Sequence, residues 1–264
     1  MAVAPPVNGV RVHVRVPASS ANLGPGFDAL GLALGLHNEI EAGESDRITL
    51  TIKGEGAAQL ATNEDNVVAR AVRAAYAAAG HPFRGCALAC VNRIPLARGL
   101  GSSAAAWVGG LVAGNTLLGS PLDRETVLAL AALGEGHPDN VAAALLGGLT
   151  VAYGGKNGAR ALSLPVPEWL RCIVLIPGVS MSTAEARAIL PSSVSRADAV
   201  FNVQRVALLL ASLQVGRADA LASALEDRLH EPYRLPLFPW MSEVTAAARA
   251  AVVTPVIQGK SRNR

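Results

Sequence analysis

At 264 residues, with 51% hydrophobic residues and a net charge of +3, the chain is long enough for one large or two smaller hydrophobic cores. Its scattered arginines form no basic patch of the kind that nucleic-acid binding needs. No apolar run reaches the roughly 18 residues of a membrane-spanning helix, and the N-terminal residues lack the features of a signal peptide. Cys86, Cys90 and Cys172 share no metal-type spacing with histidines. We therefore expect a cytoplasmic protein with reduced cysteines and with neither nucleic-acid nor membrane partners.

The first strand and the loop after it are predicted from alternation and turn residues. At residues 10–16, valine alternates with polar residues, which indicates a half-buried strand. Residues 17–28 read Pro-Ala-Ser-Ser-Ala-Asn-Leu-Gly-Pro-Gly-Phe-Asp, where turn formers stand among hydrogen-bonding side chains. This composition predicts a binding loop. A second alternating pattern at residues 48–53 predicts another strand, and Asp65 or Asn66 can cap the helix that follows it.

A glycine-rich stretch in the middle of the chain is the clearest functional signal. Residues 95–106 read Pro-Leu-Ala-Arg-Gly-Leu-Gly-Ser-Ser-Ala-Ala-Ala, between a β-compatible segment and an Ala- and Leu-rich one. Gly99 and Gly101 allow positive φ and a close backbone approach, and Ser102 and Ser103 stand where helix N-caps stand. The N–H groups of the first helical turn favour an anion such as a phosphate. A tight turn with an ordinary serine cap is the alternative.

A polar cluster interrupts two apolar helical segments further along the chain. Residues 134–140 read Gly-Glu-Gly-His-Pro-Asp-Asn, which indicates a turn that projects Glu135, His137 and Asp139 inward. A solvated turn between helices is the alternative. No second His or Cys stands nearby, so zinc is not expected. Asp139 is predicted to cap the helix at residues 141–146.

The C-terminal half follows a Gly- and Pro-rich boundary at residues 154–167. The apolar run at residues 172–176 predicts a buried strand. Ser182 or Thr183 can cap a short helix that carries Arg187. Further helices are predicted at residues 197–213, 217–229 and 243–251, with a break at residues 230–234.

Five segments of the chain resemble the GHMP small-molecule kinases. They read Ser-Ser-Ala-Asn-Leu-Gly-Pro-Gly-Phe-Asp at residues 19–28, Pro-Leu-Ala-Arg-Gly-Leu-Gly-Ser-Ser at 95–103, Glu-Gly-His-Pro-Asp-Asn at 135–140, Ser-Thr-Ala-Glu-Ala-Arg at 182–187 and Glu-Pro-Tyr-Arg at 231–234. The glycine–serine loop alone is typical of the whole family. The first, third and last segments are similar to its homoserine kinase branch.

The resemblance implies an α+β fold of two domains. An N-terminal ATP-binding domain would occupy residues 1–160, and a C-terminal ferredoxin-like sandwich residues 161–264, with the active site between them. The implied reaction is the transfer of a phosphoryl group from ATP to the hydroxyl of L-homoserine, giving O-phospho-L-homoserine in threonine biosynthesis. An Ala-rich apolar surface would permit the homodimer that the family often forms.

The resemblance assigns roles to individual residues as well. Asp139, Asn22 and His137 would orient the reacting hydroxyl as the catalytic residues, with Asp139 the candidate base, while Ser103 and Glu135 would hold Mg²⁺. The ATP-binding residues would be Asn66, Pro95, Leu96, Ala97, Arg98, Gly99, Leu100, Gly101, Ser102 and Ser103. The residues that bind homoserine would be Asn22, Asp28, His137, Asp139, Thr183, Arg187 and Arg234. The two arginines suit the substrate carboxylate, and Asp28 suits its amino group.

Other functions stay open at this point. A GHMP kinase for mevalonate or a sugar would use the same phosphate loop, and so would a nucleotide-binding protein without catalytic activity. The family also has a third glycine-rich motif, similar to Gly-Ala-x-x-Ser-Gly-Ala-Gly-Pro, and residues 252–264 do not contain it, since Gly259 is their one glycine. We therefore expect an incomplete C-terminal domain and a weak or unstable kinase.

Overall fold

The computed structural model describes residues 9–156, 158–176, 178 and 183–251. Within these ranges the chain forms six strands and nine α-helices, which confirms the α+β class. The strands are β1 (Arg11–Ala21), β2 (Leu30–Glu44), β3 (Thr49–Gly54), β4 (Cys86–Asn92), β5 (Leu149–Gly155) and β6 (Gly158–Leu164). The helices are α1 (Val67–Ala78), α2 (Ser102–Leu117), α3 (Arg124–Glu135), α4 (Asp139–Leu146), α5 (Thr183–Ala188), α6 (Arg196–Val215), α7 (Leu221–Ala224), α8 (Glu231–Arg234) and α9 (Met241–Ala250). Among the described residues, no helix combines the length and the apolar character that crossing a membrane requires.

The strands form one mixed sheet in the order β3-β4-β2-β5-β6, with β1 paired to β2. One edge of β2 carries β1, and its other edge holds β5 at residues 30–32 and β4 at residues 39–44. The first half of β1 points His13 and its arginines outward and its valines inward, as predicted. After a register shift between Pro17 and Ser19 the strand is mostly buried. The loop that follows β1 therefore starts inside the protein.

Helix α2 packs against the sheet and α1 through its glycines. A β-carbon on Gly109 would lie 2.5 Å from Ile40 Cδ1, and one on Gly110 would lie 2.5 Å from the Val68 carbonyl oxygen. Only glycine allows the helix to approach β2 and α1 this closely. This packing fixes the direction of the first turn of α2, next to the glycine-rich loop.

The C-terminal helices cover the end of β2 that leads out of the first loop. Leu30 and Leu32 pack with Leu209 and Leu213 of α6 and with Ala224 of α7. All five side chains are buried. The loop between β1 and β2 is therefore held between the sheet and residues nearly 200 positions later in the chain.

Three predictions for the C-terminal half are wrong, and one of them is the break at residues 230–234, where the short helix α8 lies. The predicted buried strand at residues 172–176 is irregular and exposed, and it pairs with no strand among the described residues. Without a neighbouring strand, nothing selects the extended ladder geometry. The predicted helix at residues 217–229 is reduced to a 3₁₀ turn and the four-residue α7. It does not continue because the Asp227 carboxylate accepts the backbone N–H groups of residues 229–231.

The three cysteines differ in their burial. Cys86 and Cys90 are buried in β4, where burial raises the pKa of both thiols to about 12 and keeps them protonated. Cys172, by contrast, is exposed. Ser182 and the region of the third family motif, residues 252–264, lie outside the described residues.

Candidate active site

The glycine-rich loop at residues 95–103 lies between β4 and α2, as predicted. Its N-cap is Gly101, with a left-handed φ of 67°, and Gly99 also has a positive φ of 75°. Ser102 and Ser103 are therefore the first two helical residues of α2, and the prediction that they stand at the N-cap is wrong. The N–H groups of the first turn have no acceptor within the helix, and Gly101 offers them no capping side chain. This geometry favours an anionic ligand.

Two buried polar residues hold the ends of this loop. At its start, Asn38 Oδ1 accepts hydrogen bonds from the backbone N–H groups of Arg93 (2.8 Å) and Ile94 (2.9 Å). At its end, the backbone N–H of Ser19 donates to the Leu100 carbonyl over 3.0 Å. No local pattern in the sequence indicates the role of Asn38, because its partners lie 55 and 56 residues away.

Gly101 provides a test of how tightly the loop is packed. A β-carbon there would lie 2.2 Å from Ser19 Oγ, the hydroxyl that accepts a hydrogen bond from Asn140 Nδ2 over 2.9 Å. We expect Gly101→Ala to lower the free energy of unfolding by about 2–4 kcal/mol, because this clash adds to the cost of a left-handed backbone. Urea denaturation measures the loss.

Gly119→Ala is the matched control for that variant. Gly119 also has a positive φ (80°), but nothing lies within 4 Å of the added carbon. Gly119→Ala should lower the free energy of unfolding only by the cost of a left-handed backbone, about 1–2 kcal/mol. Equal losses in the two variants would contradict the packing of Gly101 against Ser19.

A chain of half-buried and buried polar side chains runs from α2 to the start of α4. Ser103 Oγ donates to Glu135 Oε2 over 2.6 Å, and Glu135 Oε1 lies 3.7 Å from His137 Nε2. His137 Nδ1 donates to Asp139 Oδ1 over 2.7 Å, since a carboxylate only accepts. The same oxygen accepts the backbone N–H of Asn140 over 2.7 Å. The structure thus joins the glycine-rich loop to the polar cluster at residues 135–140.

The Ser103 and Glu135 oxygens suit a hard divalent cation. Mg²⁺ prefers carboxylate, hydroxyl and water oxygens, and two such donors are adjacent here. Within the described part of the chain, no group of three or more His, Cys, Asp or Glu side chains is arranged to hold a metal. A cation at this position would therefore also need oxygens from a ligand or from water.

Three other predicted site residues lie at helix starts. Asn66 caps α1 as predicted, with its Oδ1 accepting the Val68 N–H over 2.9 Å. Asp139 is the first residue of α4, whose N-cap is Pro138, so the prediction that Asp139 caps this helix is wrong by one position. Thr183 begins α5, and its side chain lies outside the described residues.

The loop between β1 and β2 presents an acidic residue to α5. Asn22 and Asp28 both have positive φ, and Asn22 Oδ1 accepts the Asp28 backbone N–H over 2.9 Å. The Asp28 carboxylate accepts two hydrogen bonds from Arg187, over 2.9 and 2.5 Å. Burial lowers the pKa of Arg187, but Asp28 and, to a smaller extent, Asp139 raise it by more. Both carboxylates therefore act on this guanidinium.

The second predicted arginine lies beside the first. Arg234 is only 2% exposed, and its Nε donates to the Ala186 carbonyl over 3.2 Å while Nη1 donates to His230 Nδ1 over 3.1 Å. The guanidinium carbons of Arg187 and Arg234 lie 5.4 and 5.3 Å from the centre of the Phe27 ring. Cation–π attraction to one ring helps to hold the two like charges close together.

Three further buried residues, none of them predicted from the sequence, support this loop. His230 Nε2 contacts the Gly24 carbonyl at 2.7 Å, and Asn202 Nδ2 donates to the Pro25 carbonyl over 3.2 Å and to Asp227 over 2.7 Å. Their partners lie up to 206 residues away, so no local pattern reveals them. The one available signal was a polar Asn within a predicted Ala- and Leu-rich helix.

The chain resembles known proteins along most of its length. The family "GHMP kinases N terminal domain" matches residues 66–148. Homoserine kinase from Moorella thermoacetica is 48% identical over 90% of this chain and 80% of that protein, and the enzyme from Carboxydothermus hydrogenoformans is 45% identical over 91% and 79%. The crystal structure of homoserine kinase from Cytophaga hutchinsonii superposes with a TM-score of 0.81 at 30% identity, covering 94% of this chain and 82% of that one. The chain belongs to the homoserine kinase family of the GHMP kinases.

Proposed function

We propose that this chain transfers the γ-phosphoryl group of ATP to the side-chain hydroxyl of L-homoserine, giving ADP and O-phospho-L-homoserine, a step toward threonine. The observation that carries the proposal is the pairing of Asp28 with Arg187 next to the buried Arg234. A small substrate with both an amino group and a carboxylate matches these charges. The relatives that carry the name homoserine kinase support the same reaction.

ATP binds at the glycine-rich loop in this proposal. The triphosphate lies on the N–H groups of the first turn of α2, where the helix dipole favours negative charge. Asn66 lies near the adenine. Arg98 reaches away from the loop, with Nη2 donating to the Gly178 carbonyl over 2.9 Å, and so connects the loop to the later part of the chain.

In the proposed complex Ser103 and Glu135 would hold Mg²⁺. A cation held there would neutralise the negative charge that develops on the phosphate oxygens during phosphoryl transfer. The Glu135 side chain is only 9% exposed, so its negative charge is poorly screened by water. The hydrogen bond from Ser103 keeps the two oxygens adjacent.

Homoserine lies between the β1–β2 loop and the C-terminal helices. Arg187 and Arg234 bind its carboxylate, with Thr183 alongside, and Asp28 binds its amino group. Arg187 must then exchange its Asp28 partner for the substrate carboxylate. Two guanidinium groups together can satisfy several lone pairs of one carboxylate.

Asn22, His137 and Asp139 orient the reacting hydroxyl. As its oxygen bonds to the γ-phosphorus, the bond to the β,γ-bridging oxygen breaks and the hydroxyl proton leaves toward Asp139. Hydrogen bonds from His137 and from the Asn140 backbone hold that carboxylate in place. Because the transition state of phosphoryl transfer is loose, this positioning contributes more than the strength of the base.

We also propose two domains, with the ATP site in residues 1–160 and the homoserine arginines in residues 161–264. Every described strand begins before residue 161, which supports a boundary in this region. A cytoplasmic homodimer completes the proposal, and size-exclusion chromatography with light scattering would test the dimer.

A substrate panel tests the proposed reaction directly. ADP release is measured with L-homoserine, mevalonate and galactose as acceptors. Homoserine should have a kcat/KM at least about 100-fold higher, because mevalonate would displace Asp28 from Arg187 without giving it a new partner, and galactose has neither of the charges that this site binds. Similar values for mevalonate or galactose would contradict the proposal. ATP binding without ADP release from any acceptor would indicate a nucleotide-binding protein without catalytic activity.

A further inference from the structure

His230 is a buried titratable residue to which the proposed reaction assigns no role. It precedes α8, is 0% exposed, and lies between the β1–β2 loop and Arg234. Its ring stacks on Phe27, with centroids 5.1 Å apart and an interplanar angle of 28°. It therefore contacts the same aromatic ring as both arginines of the candidate substrate site.

The two ring contacts of His230 define its protonation state. Nε2 lies 2.7 Å from the Gly24 carbonyl oxygen, which can only accept, so Nε2 carries a proton. Nδ1 lies 3.1 Å from Arg234 Nη1, which can only donate, so Nδ1 carries a lone pair. Both bonds form only with the neutral ring in the tautomer protonated on Nε2.

Through these bonds the ring links the two sides of the substrate site. Gly24 belongs to the loop that carries Asp28, and a β-carbon on Gly24 would lie 2.4 Å from the Leu225 carbonyl oxygen, so this loop is closely packed. Arg234 in turn donates to the Ala186 carbonyl, next to Arg187 in α5. His230 thus contacts the loop that carries Asp28 at Gly24, and it contacts Arg234, which in turn bonds to the backbone next to Arg187.

We infer that neutral His230 is a positioning residue for the amino-acid substrate, orienting the Arg234 guanidinium and the Gly24–Asp28 loop, and that protonating its ring weakens substrate binding. This inference rests on the proposed function for the identity of the substrate. A protonated ring would point Nδ1–H at the Arg234 guanidinium, which removes its acceptor and adds a like charge.

The charges around the ring decide at which pH this happens. Burial lowers the pKa of His230, and Arg234 lowers it further, while the charges of Asp227 and Asp28 and the hydrogen bond to Gly24 raise it by less. The unfolded chain protonates its histidine near pH 6.5, so below that pH the unfolded state binds more protons. The contribution to stability is therefore complete above about pH 6.5 and falls as the pH falls. Substrate affinity should fall in the same direction, as the native ring itself becomes protonated.

Two substitutions separate the two bonds of the ring. In His230→Gln the side-chain nitrogen can still donate to Gly24, but Arg234 loses its acceptor. In His230→Asn the oxygen can still accept from Arg234, but the bond to Gly24 is lost. We expect His230→Gln to raise KM for homoserine by about 10–100-fold, the value of one hydrogen bond to a charged group. His230→Asn should raise KM for homoserine by a smaller factor, about 2–10-fold, because the bond that it loses is to a neutral carbonyl, and KM for ATP should change little in both variants.

The pH dependence of KM for homoserine distinguishes a positioning role from a structural one, because a structural role would not alter it. At saturating ATP, the wild-type KM for homoserine should rise as the pH falls from 7.5 to 5.0, and this rise should be clearly smaller in both His230 variants. His81→Gln, at an exposed histidine, should keep the wild-type profile. If KM for ATP rose as much as KM for homoserine in both variants, or if their acid rise were as large as that of the wild type, the inference would be overturned.

Nitrogen NMR of histidine-labelled protein tests the same inference without any substrate. The ring signals that disappear in His230→Asn should show, in the wild type at pH 7.5, a protonated Nε2 and an unprotonated Nδ1. A proton on Nδ1 would overturn the inference even if homoserine were the correct substrate. Conversely, the expected tautomer without homoserine-dependent ADP release would contradict the proposed function and leave the positioning of Arg234 intact.

Discussion

Glu135→Gln should lower kcat/KM for Mg²⁺-ATP by about 100- to 1,000-fold while leaving the fold intact. The glutamine amide oxygen can still accept the Ser103 hydroxyl that now donates to Glu135 over 2.6 Å, so the local packing survives. Only the negative charge is lost, and this charge is the one expected to hold the cation in a site with little water. Initial-rate kinetics at several Mg²⁺ concentrations should show the variant requiring more Mg²⁺.

Glu125→Gln is the control for this experiment. Glu125 is 62% exposed and pairs with Arg160 at the protein surface, so its charge is screened and contributes little. Its kinetics should match the wild type. A Glu135→Gln enzyme with kcat/KM and Mg²⁺ dependence within twofold of the wild type would remove Glu135 from the cation site.

The glycine-rich loop could be predicted because its physical causes are local. Two glycines and a run of helix-forming residues are enough to indicate a strand, a turn with positive φ and a helix start. Ser102 and Ser103 were predicted at the N-cap of α2, one or two positions after the observed N-cap. The sequence contains both a capping glycine and two capping serines, and the choice of Gly101 depends on its contact with Ser19, far away in the sequence.

The central strand β2 was not predicted, although it carries a local signal. Leu30, Leu32, Leu34 and Leu36 alternate with small residues, which is the period of a strand. Its other half owes its place to neighbours that local patterns do not reveal, since β4 pairs with residues 39–44 from about 50 positions later. The wrong strand at residues 172–176 has the opposite cause, because an apolar run is not sufficient without a neighbouring strand.

The sequence indicated Asp28 and Arg187 separately, but it could not show that they bind each other. They are 159 residues apart, and the resemblance assigns each of them to an opposite charge on the substrate. In the structure each residue binds the other where a substrate group was expected. The Asp28 carboxylate accepts from Arg187 as a substrate carboxylate would, and the Arg187 guanidinium pairs with Asp28 as a substrate ammonium would. His230 and Asn202 are also joined to the loop only by long-range contacts, and Asp227 is connected to it through Asn202.

This ion pair leads to a prediction about specificity. A substrate carboxylate must displace Asp28 from Arg187, and the substrate amino group then gives Asp28 a new partner. 4-Hydroxybutanoate, which is homoserine without the amino group, would leave the Asp28 charge unpaired, and this opposes its binding. We therefore expect Asp28→Asn to lower kcat/KM for homoserine and to raise it for 4-hydroxybutanoate. The ratio of the two values should fall by about 100-fold, since both changes act in the same direction.

The matched control is Asp219→Asn, which disrupts another bidentate ion pair, between Arg217 and Asp219. That pair is exposed and lies outside the candidate site, so kcat/KM should change neither for homoserine nor for 4-hydroxybutanoate. The Asp28–Arg187 pair is about one-third exposed, so solvent screens part of its charge and its effect should stay below that of a fully buried pair. ADP release with each acceptor measures the ratio. If Asp28→Asn lowers kcat/KM for both acceptors to the same extent, Asp28 positions the loop without selecting the amino group, and the exchange of partners at Arg187 does not determine specificity.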